Sequence, residues 1–180
     1  MTAPAGVPAL DIDIDPVWDI DPVWDIDPIR SETVDWEALA AAATQAAAAV
    51  APELAHAHML VSLVMADDEE VHALNKQWRA KDKATNVLSF PMLSRDEVLL
   101  AGNNADAPAM LGDLILAHGV CTREAAEKGI ATTAHTSHLI VHGLLHLAGY
   151  DHEEGEREAE EMEALERKAL ALLGLADPYA

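Results

Sequence analysis

Apolar positions along this chain fall into short runs, and the period of each run sets the element it predicts. Val34 to Val50 is a near-continuous alanine-rich stretch, which predicts a helix stopped by Pro52. His58 to Met65 is short, rich in valine and leucine, and followed by acids, which predicts a buried strand. Asp67 or Asp68 then caps a helix from Glu69 to Arg79, Ala80 to Thr85 is a polar loop, and Asn86 to Pro91 is a strand. Leu93 to Ala109 contains Gly102, Asn103, Asn104 and Pro108 and reads as a long loop. Leu111 to His118 predicts another strand. Thr122 to Lys128 and Ala131 to Leu147 predict helices that close at Gly129 and Gly149. A last helix runs from Glu153 to Leu173, with Met162, Leu165, Ala169 and Leu172 on one stripe. Strands and helices do not strictly alternate. The pattern therefore predicts an α+β fold, a small mixed sheet of about four strands with about five helices, rather than a doubly wound sheet.

The amino-terminal segment breaks this pattern. Asp-Pro-Val-Trp-Asp-Ile stands at 15–20 and again at 21–26, followed by Asp-Pro-Ile at 27–29. A proline every six residues rules out a helix and discourages an inner strand. Residues 1–25 read as an extended or flexible acidic arm, leading into an edge strand near Ile26 to Arg30, with Trp18 and Trp24 free to dock. Residues 26–180 read as a single domain, a length sufficient to bury a core.

Charge changes the picture further. The net charge is -21. Residues 1–37 and 151–180 together hold twenty acids against four bases, leaving twelve acids against seven bases between them. Five of those bases, Lys76, Arg79, Lys81, Lys83 and Arg95, lie within twenty residues, so a polyanion can be met locally although the whole molecule repels it. No apolar run approaches the ~20 residues of a membrane span. The first residues carry no basic region ahead of an apolar one. The single cysteine, Cys121, has no internal disulfide partner, so the expectation is a reduced, cytoplasmic protein with no membrane contact.

The chemistry concentrates at His142-Gly-Leu-Leu-His146-Leu-Ala-Gly149-Tyr150-Asp151-His152. Histidines four apart share a helix face. Gly149 permits the helix to end in a left-handed turn, so that the chain can double back and offer His152. Three imidazoles with an open fourth position suit a catalytic zinc ion, although imidazole also suits nickel, iron and copper. His135 and His138 fall on the same stripe. A row of three helical histidines is nearly linear, however, so His138 is assigned to support or substrate contact rather than to the ion. His56, His58, His72 and His118 read as satisfied core residues. Gly143 stands where His-Glu-x-x-His metallopeptidases carry their general base. Asp151, next to a ligand, can orient it or take a proton.

These residues resemble the YbeY family. The motif at 142–152 is joined by Leu74-Asn75 with Arg79, by Lys81-Asp82-Lys83-Ala84-Thr85-Asn86-Val87-Leu88-Ser89-Phe90-Pro91, by Leu111-Gly112-Asp113-Leu114-Ile115, and by Glu158 to Gly174 with Asp177-Pro178-Tyr179. The likeness covers roughly residues 53–180, and Ala84 departs from the proline common at that place. The resemblance implies an α+β fold with the metal helix behind a small mixed sheet. It also implies a single-strand-specific endoribonuclease that matures the 3′ end of small-subunit rRNA and serves in ribosome quality control. It carries the metal ligands to His142, His146 and His152, with one Zn2+ per chain, and the key arginine to Arg79. It implies partners in an rRNA precursor and in the small ribosomal subunit with its proteins.

The residues fit that chemistry on their own terms. A dication and a guanidinium can share the negative charge built up at phosphorus, and the 2′-hydroxyl of RNA is an internal nucleophile. Lys76, Lys81 and Lys83 can steer the backbone, while Trp78 and Phe90 either stack bases or pack in the core or at the rim. Two rival readings stay open: a metallopeptidase-like hydrolase, and a ribosome-associated assembly factor whose metal is largely structural.

Overall fold

The computed structural model describes residues 6–19, 33–153 and 155–180. Its four strands are β1 (Ala9–Ile14), β2 (Met59–Ala66), β3 (Val87–Pro91) and β4 (Ala109–Ala117), in the order β1-β2-β4-β3. The first two pairings are parallel and the β3–β4 pairing is antiparallel, so the sheet is mixed, as expected. Around it lie α1 (Trp36–Val50), α2 (Asp68–Arg79), α3 (Arg95–Gly102), α4 (His118–Lys128), α5 (Thr132–Leu147) and α6 (Glu156–Leu172).

Strand alternation divides the core. Met59, Val61, Leu63 and Met65 of β2, with Leu114 and Leu116 of β4, point into the main core against α1, α5 and α6. Ala66, Ile115, Ala117 and Leu88 point the other way, onto Val71 of α2. α5 is buried almost all round, from His135 to Leu147, and it packs on β3 and β4 between α1, α4 and α6. A helix so enclosed holds its side chains in fixed directions, which matters for the histidines it carries. No helix among the described residues is long and apolar enough to cross a membrane.

Three expectations are corrected. The stretch Leu93 to Ala109 is not all loop, because α3 forms within it, giving six α-helices among the described residues. The Ser94 hydroxyl accepts the Glu97 N–H, the Glu97 carboxylate accepts the Ser94 N–H at 2.7 Å, and Val98 is buried beneath. α4 starts at His118 rather than Thr122, because its Val120 N–H is capped by the carboxylate of Asp68, 3.0 Å away and distant in sequence. On α6 the buried positions are Met162, Glu166, Ala169 and Leu170, while Leu172 is exposed.

Among the described residues of the amino-terminal segment, Ala9–Ile14 is a strand and Pro16–Asp19 a 3-10 turn, and residues 9–19 are packed on the domain rather than a free arm. β1 lies in parallel register with β2, with Leu10, Ile12 and Ile14 packed against the main core. Trp18 is 2% exposed, and its indole N–H donates to the Ala66 carbonyl at 2.9 Å. Trp36 packs edge-on to it and donates to the Trp18 carbonyl. The aspartates at 11 and 13 occupy the alternate positions of a strand whose other residues are apolar, which is why a run so acidic still pairs. The strand expected near Ile26 to Arg30, the second copy of the repeat and Trp24 lie outside the described residues.

Candidate metal centre

The site is built at the carboxyl end of α5. That helix ends in a paired-bond turn. The Gly149 N–H donates to the His146 carbonyl and the Tyr150 N–H to the Leu145 carbonyl, each at 3.0 Å, with Gly149 at φ +95°. A side chain at 149 would also strike Arg95, at 2.6 Å. The turn reverses the chain, and Asp151 holds it by accepting the Glu153 N–H at 2.8 Å. His152 is thereby returned to the helix face that carries His142 and His146. One ring nitrogen from each of the three lies within 4.8 Å of the other two.

The ring orientations decide what these nitrogens can do. His146 Nδ1 stands 3.0 Å from the Tyr150 carbonyl oxygen, which can only accept, so Nδ1 carries the hydrogen and Nε2 its lone pair. His142 Nδ1 donates to the carboxylate of Glu166, which is 0% exposed. The two Nε2 atoms then face one another at 3.1 Å. Lone pairs at that separation repel unless positive charge lies between them. Three imidazoles aimed together are a donor set that fits a first-row dication. Burial, with the close approach of the His142 and His152 rings, holds the His146 imidazole down at about 4, so it stays neutral and ready to ligate.

Glu166 was not anticipated. It sits in the buried stripe of α6, where an acid has no folding advantage, and that mismatch is the sequence signal that marks it. Burial pushes its carboxyl up. The nearby His138 and His142 rings, and then the Tyr179 hydroxyl, outweigh burial and bring it to about 2. His138 faces this carboxylate, Nε2 to oxygen 3.6 Å, rather than joining the other three histidines.

The remaining expected residues are placed as follows. Arg79, the last residue of α2, is exposed and donates from its guanidinium to the Ser89 carbonyl at 3.0 Å, 5.9 Å from the Phe90 ring. Ser89 in turn packs under α5 at Gly143. Lys76 pairs with Asp82 at 3.3 Å, while Lys81 and Lys83 are exposed and make no ion pair among the described residues. Trp78 is 66% exposed, so it is not a core residue. Gly143 lies so close to the sheet that a Cβ there would meet Leu114 at 2.7 Å, leaving no room for a peptidase glutamate without moving the sheet's side chains. Cys121 is buried and its thiol is pushed up to about 12 by burial, which keeps it protonated and away from metal chemistry. Of the other histidines, His58 bonds the Ala101 carbonyl, His72 pairs with Asp82 and His118 packs edge-on to Trp18. None of these, nor His56, is fully buried, so they are not core residues. His135 is buried against Glu124.

Three imidazoles held below their ordinary value of 6.5 by burial, those of His118, His135 and His146, set an acid limit. The unfolded chain takes up protons near 6.5 and the folded chain only at lower pH, so in that window the unfolded state binds more protons. Stability of the metal-free protein is therefore expected to fall as pH drops below about 6.5, with the His146 contribution complete near 4. Urea midpoints from about pH 8 to about pH 5 check this. A flat profile would show that these rings are not held neutral.

Comparison with known proteins follows the same lines. The family model described as Endoribonuclease YbeY matches residues 26–174. Endoribonuclease YbeY of Novosphingobium aromaticivorans is 68% identical over 173 residues, covering 96% of each chain. That span reaches into the segment 1–25, so the likeness extends beyond residues 53–180. Endoribonuclease YbeY of Erythrobacter litoralis is 57% identical over 145 residues, covering 81% of this chain and 89% of the relative. The solution structure of TM1509 from Thermotoga maritima shares the fold, with a TM-score of 0.51 and 21% identity over 82% of this chain and 95% of that one.

Proposed function

This chain belongs to the YbeY endoribonuclease family, and from that premise we propose that it is a Zn2+-dependent, single-strand-specific endoribonuclease acting in the cytoplasm on rRNA precursors. Its task is maturation of the small-subunit 3′ end and ribosome quality control, with the small ribosomal subunit and its proteins as partners. The observation that carries the catalytic part is the convergence of ring nitrogens of His142, His146 and His152, with the tautomers of His142 and His146 already set by their partners.

When bound, the ion supplies Lewis-acid chemistry to the scissile phosphodiester. The chain's own residues supply the rest. Arg79 spends part of its guanidinium on the Ser89 carbonyl, which aims the fork along the outer edge of β3, and its other N–H groups remain for phosphate oxygens. Lys81 and Lys83, unpaired among the described residues, attract the backbone on either side. No carboxylate stands at position 143, so the attacking group need not be deprotonated from there. The RNA 2′-hydroxyl, already attached beside the phosphorus, suits such a site. The acidic ends of the chain keep free RNA binding weak and steeply salt-dependent, which favours substrate presented on the ribosome.

The test is cleavage of a single-stranded RNA by the Zn2+-loaded protein, beside a chelated sample and a duplex of the same sequence. Cleavage of the single strand alone, lost on chelation, is the expected result. Equal cleavage of the duplex would overturn single-strand selection. Intact RNA in every lane with zinc still bound would favour the assembly-factor reading.

A further inference from the structure

We propose that the segment after α6 is a working part of the metal centre: Tyr179, acting through Glu166, positions His142 for the ion. The proposal rests on the metal reading above and adds positioning residues that the histidine motif does not contain.

The two oxygens of Glu166 are divided between different duties. Oε1 takes the His142 Nδ1–H and Oε2 takes the Tyr179 hydroxyl. A carboxylate held at both oxygens cannot rotate, so the His142 ring is fixed with Nδ1–H inward and Nε2 toward His146 and His152. A carboxylate behind a ligating histidine fixes its ring and raises its basicity. The charge argument points the same way. Glu166 is fully buried, and among the described residues no lysine or arginine pairs with it. A buried carboxylate needs a compensating charge. A cation on the opposite nitrogen of His142 supplies one.

Tyr179 is held in place rather than trailing. After Gly174, at φ +70°, the chain turns back. Arg167 reaches Asp177 at 3.3 Å and lies over the Tyr179 ring at 5.1 Å. The Tyr179 N–H donates to the Asp177 carboxylate at 2.8 Å, and its ring meets His138 edge-on at 5.9 Å. The hydroxyl thus arrives at Glu166 from an anchored loop.

The experiment measures the Zn2+ dissociation constant by chelator competition. It compares the full chain with Glu166→Gln, Tyr179→Phe and a chain ending before Asp177, and records the melting temperature of each metal-free form. Glu166→Gln is expected to weaken binding ~10–100-fold. Tyr179→Phe and the shortened chain are expected to weaken it by a smaller factor, up to about tenfold. Weaker binding by folded Tyr179→Phe supports the proposal even if Glu166→Gln fails to fold. A purely structural tail would lower the melting temperature of the metal-free protein and leave the dissociation constant at the wild-type value, which would overturn the proposal. Wild-type protein that binds zinc no better than His142→Ala would instead overturn the metal reading, and this proposal with it.

Discussion

His146→Ala is expected to abolish zinc retention and to lower RNA cleavage by about a thousandfold or more, since Lewis-acid stabilisation is worth several kcal/mol and each ~1.4 kcal/mol is tenfold. The geometry explains why losing this histidine is expected to empty the site. Its ring lies close to both others, with centroids 4.7 Å from His142 and 5.0 Å from His152. Its tautomer is set by the helix-ending turn itself, through the Tyr150 carbonyl. Removing it leaves two nitrogens that no longer surround a point. The fold should survive, because the lost ring is half-buried at the helix end and because the metal-free protein loses an unfavourable approach of two lone pairs. The acid sensitivity of the metal-free protein should also lessen, since a ring held near 4 is gone. Metal content by elemental mass spectrometry, cleavage on a gel and urea midpoints against pH read the three effects separately. Full zinc occupancy in the variant would refute the ligand assignment.

What the sequence made legible was local, and what it hid depended on distant partners. α5 and its histidines could be read because the helix period, the four-residue spacing and Gly149 all act within a few turns. β2, α2, β3 and β4 could be read for the same reason. α3 was locally signalled as well, by Ser94 and Glu97, but the glycine, asparagines and proline that follow masked its cap. The first turn of α4 had no local signal, because its cap is Asp68 on another helix. β1 was hidden by its aspartates, which read as solvated although its isoleucines alternate with them and Trp18 docks behind. Glu166 and Tyr179 belong to the same class as Asp68. Each makes sense only beside residues far along the chain, so the histidine motif displayed the ligands and not the group that orients them.

Arg79→Glu is expected to lower cleavage by ~10²–10³-fold, the range for removing one preorganised group that stabilises transition-state charge, while zinc content stays at the wild-type level. The separation follows from the contacts. Arg79 touches the Ser89 carbonyl and the face of Phe90, and none of the three histidines. Losing the Ser89 bond should cost about 1 kcal/mol of stability. A glutamate at the carboxyl end of α2 adds an unfavourable helix-dipole interaction of ~0.3–1 kcal/mol. Neither is enough to unfold a domain of this size. The loss of cleavage must therefore come from charge and shape at the phosphate. Arg79→Lys divides the two: the charge is kept and the planar fork is lost, so its rate should fall between wild type and Arg79→Glu. Single-turnover rates at saturating RNA, measured on both variants, carry the comparison. Wild-type rates in Arg79→Glu would remove Arg79 from the mechanism. An Arg79→Lys rate equal to wild type would leave it there as a charge alone.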